Sequence, residues 1–227
     1  MNLLHQNRTP GAILCNMLLA FVSLVINGLG VYLTIHADIG AGPWDVLGIG
    51  VSKTFGILYG TASIIISLLI LGIDVLLREP IGIAMVIDAF TVGKAVDFFN
   101  YLNLVPSPKT LPGSIAMMLC GLVIMGYTQY LYMAASLGCG PRDTLLVGLK
   151  RRLPFPIGAV SIALLSAATF TGWLLGGPVG VGTLICAFLC GPIMELAFRS
   201  VRFDATKVRH QRMRESLQIL FPGKRKD

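Results

Sequence analysis

The sequence predicts an all-α polytopic membrane protein with six transmembrane helices, arranged as two inverted three-helix repeats. Three observations lead to this prediction: an apolar composition, long stretches without charge and an internal duplication. Of the 227 residues, 55% are hydrophobic and 13% are charged, whereas soluble domains carry about 25% charged residues. A mean hydropathy of +0.77 is typical of a chain that resides largely in a lipid bilayer.

Four long segments contain no Asp, Glu, Lys or Arg, namely 9–37, 54–73, 110–141 and 153–194. A membrane-spanning helix needs about 20 apolar residues, so the last segment holds two spans, divided near Gly176-Gly177-Pro178. The first apolar run continues from Gly11 to about Ile35. Because the apolar part of a signal peptide is only about 7–15 residues long, this run predicts a first transmembrane helix.

The duplication appears when the sequence is compared with itself at an offset of 98 residues. Between Gly28 and Asp97, 21 of 70 positions are identical to the residue 98 places later, without a gap. The most distinctive pair is "GAGPWDVL" (40–47) and "GCGPRDTL" (138–145). An internal repeat is the first feature to interpret, because it constrains the architecture of the whole chain. It predicts one membrane domain made of a first repeat (1–103) and a second repeat (104–200), followed by a basic tail (201–227).

Each repeat has the same order of elements: a long apolar helix, the GxGPxD motif with a short segment, and two further long helices. The predicted long helices cover about 11–36, 57–77, 81–102, 111–135, 156–175 and 179–199. The short segment of roughly 11 residues would be only about 16 Å long as a helix, against a hydrocarbon core of about 30 Å. It is therefore predicted to be re-entrant or interfacial. Because each repeat is predicted to cross the membrane three times, which is an odd number, the second repeat has the opposite orientation in the membrane.

Positive charge predicts that both termini face the cytoplasm. With six spans, the charges assigned to this side are Arg8, Arg78, the cluster 150–152 and the tail. Lys53 and Lys109 remain outside. The residues from Arg199 to Asp227 contain nine Lys and Arg against three acids, which is +6 of the net +7. The tail either contacts anionic lipid headgroups or only reflects the positive-inside bias.

The GxGPxD motif predicts a helix start in each repeat. Its residues are Gly42, Pro43 and Asp45 in the first repeat and Gly140, Pro141 and Asp143 in the second. Proline suits the first helical turn because its φ is fixed and its missing N–H is not needed there. A carboxylate in the same turn favours the helix dipole and can accept exposed N–H groups. Glycine allows backbone conformations that other residues resist.

Two interpretations of the motif acids remain open, and both can hold together. Asp45 and Asp143 are helix caps, or they face a shared site between two short helices, as in inverted-repeat transporters. Intramembrane acids are functional candidates by default, so Asp97 and its repeat partner Glu195 join the candidate substrate-binding residues. An internal ion pair with Lys94 is the structural alternative for Asp97. Arg142 is a candidate cytoplasmic topology charge.

The motifs "GAGPWDVL", "GCGPRDTL" and "GPVGVGT" (177–183) resemble those of the YczE/YyaS/YitT family of bacterial integral membrane proteins, most closely its YczE-like branch. The resemblance covers about residues 10–200. The first-half turn "EPIGIAM" departs from it, since Ala84 and Met85 stand where the later turn has Gly182 and Thr183. The resemblance implies a multi-pass protein of the bacterial cytoplasmic membrane, without a settled biochemical activity.

Three classes of function compete. A small-solute secondary transporter is supported by the duplication, the interrupted helices and the intramembrane acids. A non-transporting membrane accessory or interaction protein is the alternative. An intramembrane enzyme is disfavoured, because no ATP-binding loop, HExxH or Ser-His-Asp pattern occurs, nor the YD and GxGD motifs expected of an intramembrane aspartyl protease. We expect no catalytic residue, metal or cofactor and no nucleic-acid partner. The expected partners are the lipid bilayer and a small solute or ion.

Overall fold

The computed structural model describes residues 9–203, 208 and 211–220, and these residues form nine α-helices. In chain order they are α1 (Pro10–His36), α2 (Pro43–Phe55), α3 (Tyr59–Leu76), α4 (Ile83–Leu102), α5 (Leu111–Ala134), α6 (Pro141–Arg152), α7 (Ile157–Leu174), α8 (Val181–Ser200) and α9 (Met213–Leu220). Arg8 and much of the predicted basic tail lie outside the described residues.

Five of these helices, α1, α3, α5, α7 and α8, are long and apolar enough to cross a membrane. The fold is therefore that of an all-α membrane protein. Helix α4 has a comparable length of 20 residues, but it carries the charged residues Asp88, Lys94 and Asp97. Helices α2 and α6 contain only 13 and 12 residues and are too short to span the hydrocarbon core.

Local sequence signals account for where the helices begin. Thr9 and Thr110 cap α1 and α5 through their hydroxyls, which accept the N–H groups of Ala12 and Gly113 at 3.3 and 3.4 Å. In the GxGPxD motifs the second glycine is the N-cap and the proline is the first helical residue. A proline at this position has the φ that a helix requires and loses no hydrogen bond. The motif therefore starts a helix in both halves, as the sequence predicts.

The long helices α1 and α5 pack along each other at the centre of the molecule. Asn27 of α1 donates a hydrogen bond to the Thr128 hydroxyl of α5 at 2.9 Å. Around this pair, α4 packs on α1 and α8 packs on α5. Each short helix packs on a long helix of the opposite half: α2 packs on α7, and α6 packs on α3. Each short helix is thus supported mainly by a long helix from the other half of the chain.

The irregular backbone before each short helix is also paired across the two halves. The Gly182 N–H donates to the Ile39 carbonyl at 2.7 Å, and the Ala84 N–H donates to the Leu137 carbonyl at 3.1 Å. These two hydrogen bonds join equivalent positions, since both residues of the second bond align with those of the first at an offset of 98. Each GxGPxD loop therefore docks on the turn that precedes the last long helix of the opposite half.

Gly40 and Gly138 make this docking possible. Their φ angles are +106° and +124°, in the region that favours glycine. A Cβ on Gly40 would lie 2.7 Å from the Gly180 nitrogen, and one on Gly138 would lie 2.7 Å from the Gly82 Cα. The sequence assigned this conformational role to Gly42 and Gly140 as well. Those residues adopt φ angles of −60° and −63°, which any residue tolerates.

The far ends of the short helices are anchored in different ways. Arg151 and Arg152 at the end of α6 form ion pairs of 2.8 and 3.0 Å with Glu79, whose side chain is only 4% exposed. Arg152 also donates to the Leu77 carbonyl. At the equivalent end of α2, Lys53 and Thr54 donate to backbone carbonyls after α7, at 3.2 and 3.1 Å. The α6 anchor is therefore ionic, whereas the α2 anchor is not.

Part of the predicted tail folds back onto the helical bundle. The Met213 N–H donates to the Ile81 carbonyl at 2.8 Å, and the Gln211 N–H donates to the Ser136 carbonyl at 2.9 Å. Ser216 is fully buried. Ile219 and Leu220 of α9 pack against a buried cluster formed by α1, α4, α5 and the residues that follow α5. The loop before the second motif is thus held on one side by α4 and on the other by the α9 segment.

The docking of the motif loops can be tested by substituting Gly40. We expect Gly40→Ala to lower the melting temperature in detergent, because alanine is strained at this φ by about 1 kcal/mol or more and its Cβ meets Gly180. The control is Gly72→Ala. Gly72 lies within α3, where an added Cβ would have no neighbouring atom within 4 Å, and alanine favours a helix there by up to about 1 kcal/mol. Equal melting temperatures for the two variants would contradict the docking role.

The ionic anchor gives a second stability prediction. Glu79→Ala removes two charge-assisted hydrogen bonds, and we expect a loss of about 1–2 kcal/mol because both arginines remain partly solvated. The matched control is Glu195→Ala, which removes the exposed Glu195–Arg199 pair of 2.6 Å. Such pairs contribute about 0–1 kcal/mol. Thermal unfolding in detergent compares the variants, and an equal or larger loss at Glu195 would show that the anchor is not structural.

Candidate functional site

The two motif acids lie at the start of the short helices, but their hydrogen bonds join them to long helices. The Asp45 carboxylate is buried, with 6% of the residue exposed, and accepts the Tyr59 hydroxyl of α3 at 2.8 Å. The Asp143 carboxylate accepts the Gln129 amide of α5 at 3.2 Å, and this residue is solvent-accessible. Both acids are therefore positioned by side chains from other helices, whereas the capping interpretation expected bonds to their own first-turn N–H groups.

The two motifs meet directly through the residue between proline and aspartate. Trp44 and Arg142 occupy this position in the two repeats, and the Arg142 guanidinium lies over the Trp44 ring, 5.3 Å from its centre. A cation at this distance from an aromatic face is attracted by the ring quadrupole. The contact joins the first turns of α2 and α6, so it brings the two short helices together at one place.

Three acids lie within electrostatic range of Arg142, although it forms no salt bridge among the described residues. Its positive charge acts on the carboxylates of Asp45, Asp88 and Asp143. The Asp88 carboxylate of α4 reaches the beginning of α6, since a Cβ on Gly140 would lie 2.7 Å from Asp88 Oδ2. Asp88 and Asp143 also interact with each other. The structure therefore forms a polar cluster of three carboxylates and one guanidinium, which we call the central cluster (Asp45, Asp88, Asp143 and Arg142).

A tyrosine completes this cluster. Tyr132 of α5 is 2% exposed, and its hydroxyl is buried without a hydrogen-bond partner among the described residues. The charges of Asp88 and Asp143 act on this hydroxyl. Buried hydroxyls are nearly always hydrogen-bonded in folded proteins. Tyr132 therefore brings an unsatisfied hydroxyl within electrostatic range of two of these acids.

Asp97 and Glu195 belong to the interfaces of the long helices rather than to the central cluster. Asp97 Oδ1 accepts the Gly60 N–H at 2.8 Å. The salt bridges among the described residues do not include one between Lys94 and Asp97, so the structural alternative for Asp97 takes the form of a helix-to-helix hydrogen bond instead. Glu195, the repeat partner of Asp97, forms an exposed ion pair with Arg199 on its own helix.

The two equivalent pairs of long helices are packed unequally. In the first pair, α3 packs along α4, and a Cβ on Gly93 would lie 2.7 Å from the Gly60 carbonyl oxygen. In the second pair, α7 and α8 do not pack along each other. Gly158 and Gly191, which align with Gly60 and Gly93, have no atom within 4 Å of a Cβ position. The first pair is therefore closed and the second pair is open.

A cavity of about 250 Å³ lies beside the closed pair. The polar residues that line it are Tyr32, His36, Ser52, Tyr59, Asp97 and Asn100. Tyr59 lines this cavity while its hydroxyl binds Asp45, and Asp97 Oδ2 is buried without a hydrogen-bond partner among the described residues. The tyrosine therefore stands between the cavity and the central cluster.

Sequence reasoning identified some of these residues and missed others. It singled out both motif acids and assigned no role to Asp88. It treated Arg142 as a topology charge and did not consider Trp44 or Tyr132. The signal for the Trp44–Arg142 contact was present, because the two residues hold the same position in the two repeats.

Apolar spanning helices around a buried polar cluster define the class of protein: an integral membrane protein with several α-helical spans. The comparison with protein families agrees. Residues 14–199 match the model of a family of unknown function, DUF6198, and the chain belongs to this family.

Three relatives extend this result. An uncharacterized membrane protein, YczE of Bacillus subtilis (strain 168), is 34% identical over 179 residues, which cover 78% of this chain and 82% of the relative. An uncharacterized protein of Haemophilus influenzae is 29% identical over 175 residues, covering 76% and 78%. YyaS of Bacillus subtilis, also uncharacterized, is 28% identical over 184 residues, covering 77% and 88%. The resemblance to the YczE/YyaS family is confirmed. No solved structure matches the chain significantly.

Proposed function

We propose that the protein is a small-solute secondary transporter whose site is the central cluster between the two repeats. The observation that carries this proposal is the unequal packing of two equivalent helix pairs, with α3 and α4 closed and α7 and α8 open. Inverted-repeat transporters expose a fixed site alternately to the two sides by exchanging the conformations of their halves. In one state of such a cycle, one helix pair is closed and the equivalent pair is open. The equivalent glycines of the two pairs fit this requirement.

The proposal includes six spans and inverted repeats. Helix α4 is the sixth span, since 20 residues at 1.5 Å each extend about 30 Å. Its three charged residues then lie within the membrane, where Asp88 and Asp97 face protein rather than lipid. The inverted repeat is supported by the equivalent packing of the two short helices: α2 packs on α7 of the second half, and α6 packs on the equivalent helix α3 of the first half. It is also supported by the two equivalent loop hydrogen bonds.

The charge distribution supports an orientation with both termini in the cytoplasm. In this orientation Gly158, near the beginning of α7, lies toward the cytoplasmic side, and Gly60, near the beginning of α3, lies toward the outside. The open pair then leads from the cytoplasm to the central cluster, and the cavity beside Tyr59 is an outer vestibule. The structure corresponds to an inward-open state under this proposal.

The alternative is a non-transporting accessory protein that binds a partner through the open pair. Large apolar side chains are exposed on both of its helices, namely Phe170, Trp173, Phe188 and Leu196. A lipid-facing surface has the same composition, so this observation favours neither function, and flux measurements separate the two. The proposal assigns no enzymatic activity to the protein.

The role of the motif acids is tested with Asp45→Asn and Asp143→Asn. Asparagine begins a helix about as well as aspartate, and its amide oxygen still accepts a hydrogen bond from Tyr59 or Gln129, so we expect expression and melting to be nearly unchanged. Uptake of a panel of labelled small solutes into proteoliposomes should be lost, because the amide supplies neither charge nor a titratable proton. Wild-type uptake by both variants would show that the acids are only structural.

The exchange of the helix pairs is tested with Gly158→Cys and Gly191→Cys in a background without the five native cysteines. When α7 and α8 close as α3 and α4 do, the two backbones approach to the distance that a disulfide requires, about 4.4–6.8 Å between Cα atoms. We expect oxidation to cross-link the double variant and stop uptake, and reduction to restore it. An impermeant thiol reagent should reach both positions from the cytoplasmic side before oxidation.

The single variants serve as controls, since oxidation should not change their uptake. A double variant that never cross-links while it transports would contradict the exchange of the helix pairs. Cross-linking without any effect on uptake would contradict it as well. Labelling from the outside alone would contradict the proposed orientation.

A further inference from the structure

The central cluster contains three carboxyl groups and one guanidinium. The Arg142 guanidinium acts on three carboxylates, so the ionised cluster has more negative than positive charge. Buried charge without a partner is costly, because the protein interior cannot replace the water that an ion loses. A bound cation would lessen this cost, whereas an anion would add to it. The balance of charge therefore favours a positively charged ligand.

The cluster also contains a surface that already holds a cation. Trp44 presents its ring face to the Arg142 guanidinium at 5.3 Å. Tryptophan is the aromatic residue that attracts cations most strongly, and alkylammonium and guanidinium groups bind such faces in proteins. Arg142 reaches this face from α6, across the boundary between the two halves. The aromatic face and the acids around it would bind a free organic cation by the same interactions.

Two further groups are available to a ligand. The Tyr132 hydroxyl is buried without a partner among the described residues and lies within reach of the charges of Asp88 and Asp143. Asp143 is solvent-accessible, although it lies among buried groups at the beginning of α6. An N–H of an organic cation can donate to the hydroxyl oxygen and to the carboxylate. Inorganic cations would satisfy the acids but would make less use of the Trp44 ring.

We propose that the central cluster binds a small organic cation of alkylammonium or guanidinium type on the Trp44 ring, and that Arg142 occupies this position when no ligand is bound. The proposal rests on the proposed function and names the class of solute. The ligand displaces the Arg142 side chain from Trp44 and takes its place between Asp45 and Asp143. Arg142 thus competes with the ligand as a tethered cation.

The chain has two tryptophans, which provides a direct measurement. Trp173 is exposed on α7, and Trp173→Phe leaves Trp44 as the single tryptophan of the full-length protein. Its fluorescence is titrated in detergent with tetramethylammonium and methylguanidinium at constant ionic strength, with acetate and methyl phosphate as anionic probes. We expect a saturable change with at least one cation and none with the anions. No saturable response to either cation, or an equal response to the anions, would overturn the proposal.

Variants then locate the binding. Asp143→Asn in the same background should weaken cation binding about tenfold or more, since it removes one charge of a desolvated site. Arg142→Gln should strengthen it about tenfold, because the ligand no longer competes with a tethered cation. Arg142→Lys keeps a positive charge but loses the planar guanidinium that stacks on the Trp44 ring, so its cation binding should lie between that of the parent and that of Arg142→Gln. Arg151→Gln is the matched control on the same helix and should leave cation binding unchanged.

Melting temperatures establish that each variant is folded, and the comparison of Arg142→Lys with the parent protein remains decisive if Arg142→Gln is unstable. Weaker binding by Arg142→Lys than by the parent, or no difference between a folded Arg142→Gln and the parent, would overturn the role of Arg142. Uptake separates this proposal from the general one. Proteoliposomes that take up neutral or anionic solutes but no cations would overturn the cation class and leave transport intact. Cation binding without uptake would support the site and overturn transport.

Discussion

The two halves of this protein depend on each other because neither can satisfy its own irregular backbone. In a bilayer, polar backbone groups outside a helix need a partner within the protein. The loop before α2 finds its partner at Gly182 of α8, and the loop before α6 finds its partner at Ala84 of α4. The crossed packing of α2 and α6 on the long helices of the opposite half follows from these two contacts. So does the meeting of their first turns at Trp44 and Arg142.

The glycines and prolines that the two halves share build the framework, whereas the positions at which the halves differ make the central cluster asymmetric. Gly40 and Gly138 retain the same backbone conformation in both halves, and the prolines after them begin equivalent helices. By contrast, the residue between proline and aspartate is aromatic in one half and basic in the other. Asp88 aligns with Cys186, so the third carboxylate of the central cluster comes from one half only. The repeated framework therefore holds a site that is not itself symmetric.

Much of the fold could be predicted because helix boundaries depend on local signals. The predicted span 11–36 corresponds to α1 (Pro10–His36), and the short helix after each GxGPxD motif was predicted from the proline and aspartate of the motif and from its length. Contacts between distant residues could not be predicted in this way. The Glu79 anchor and the docking of α9 depend on which surfaces lie opposite each other. Asp143 was predicted as a site residue from its sequence position, whereas Tyr132 required the structure, because an unsatisfied hydroxyl has no sequence signature.

The crossed loop contacts also limit how the chain can be divided. A cut in the connection between α4 and α5 would separate two fragments of three long helices each, in which every motif loop has lost the backbone partner that lies on the other fragment. Each fragment alone would present unpaired polar backbone groups to lipid, which is energetically costly. Two genes encoding the halves would therefore need matched expression, whereas a single gene delivers both partners in a fixed ratio of one to one. A single chain therefore ensures that the two halves are always present in equal amounts.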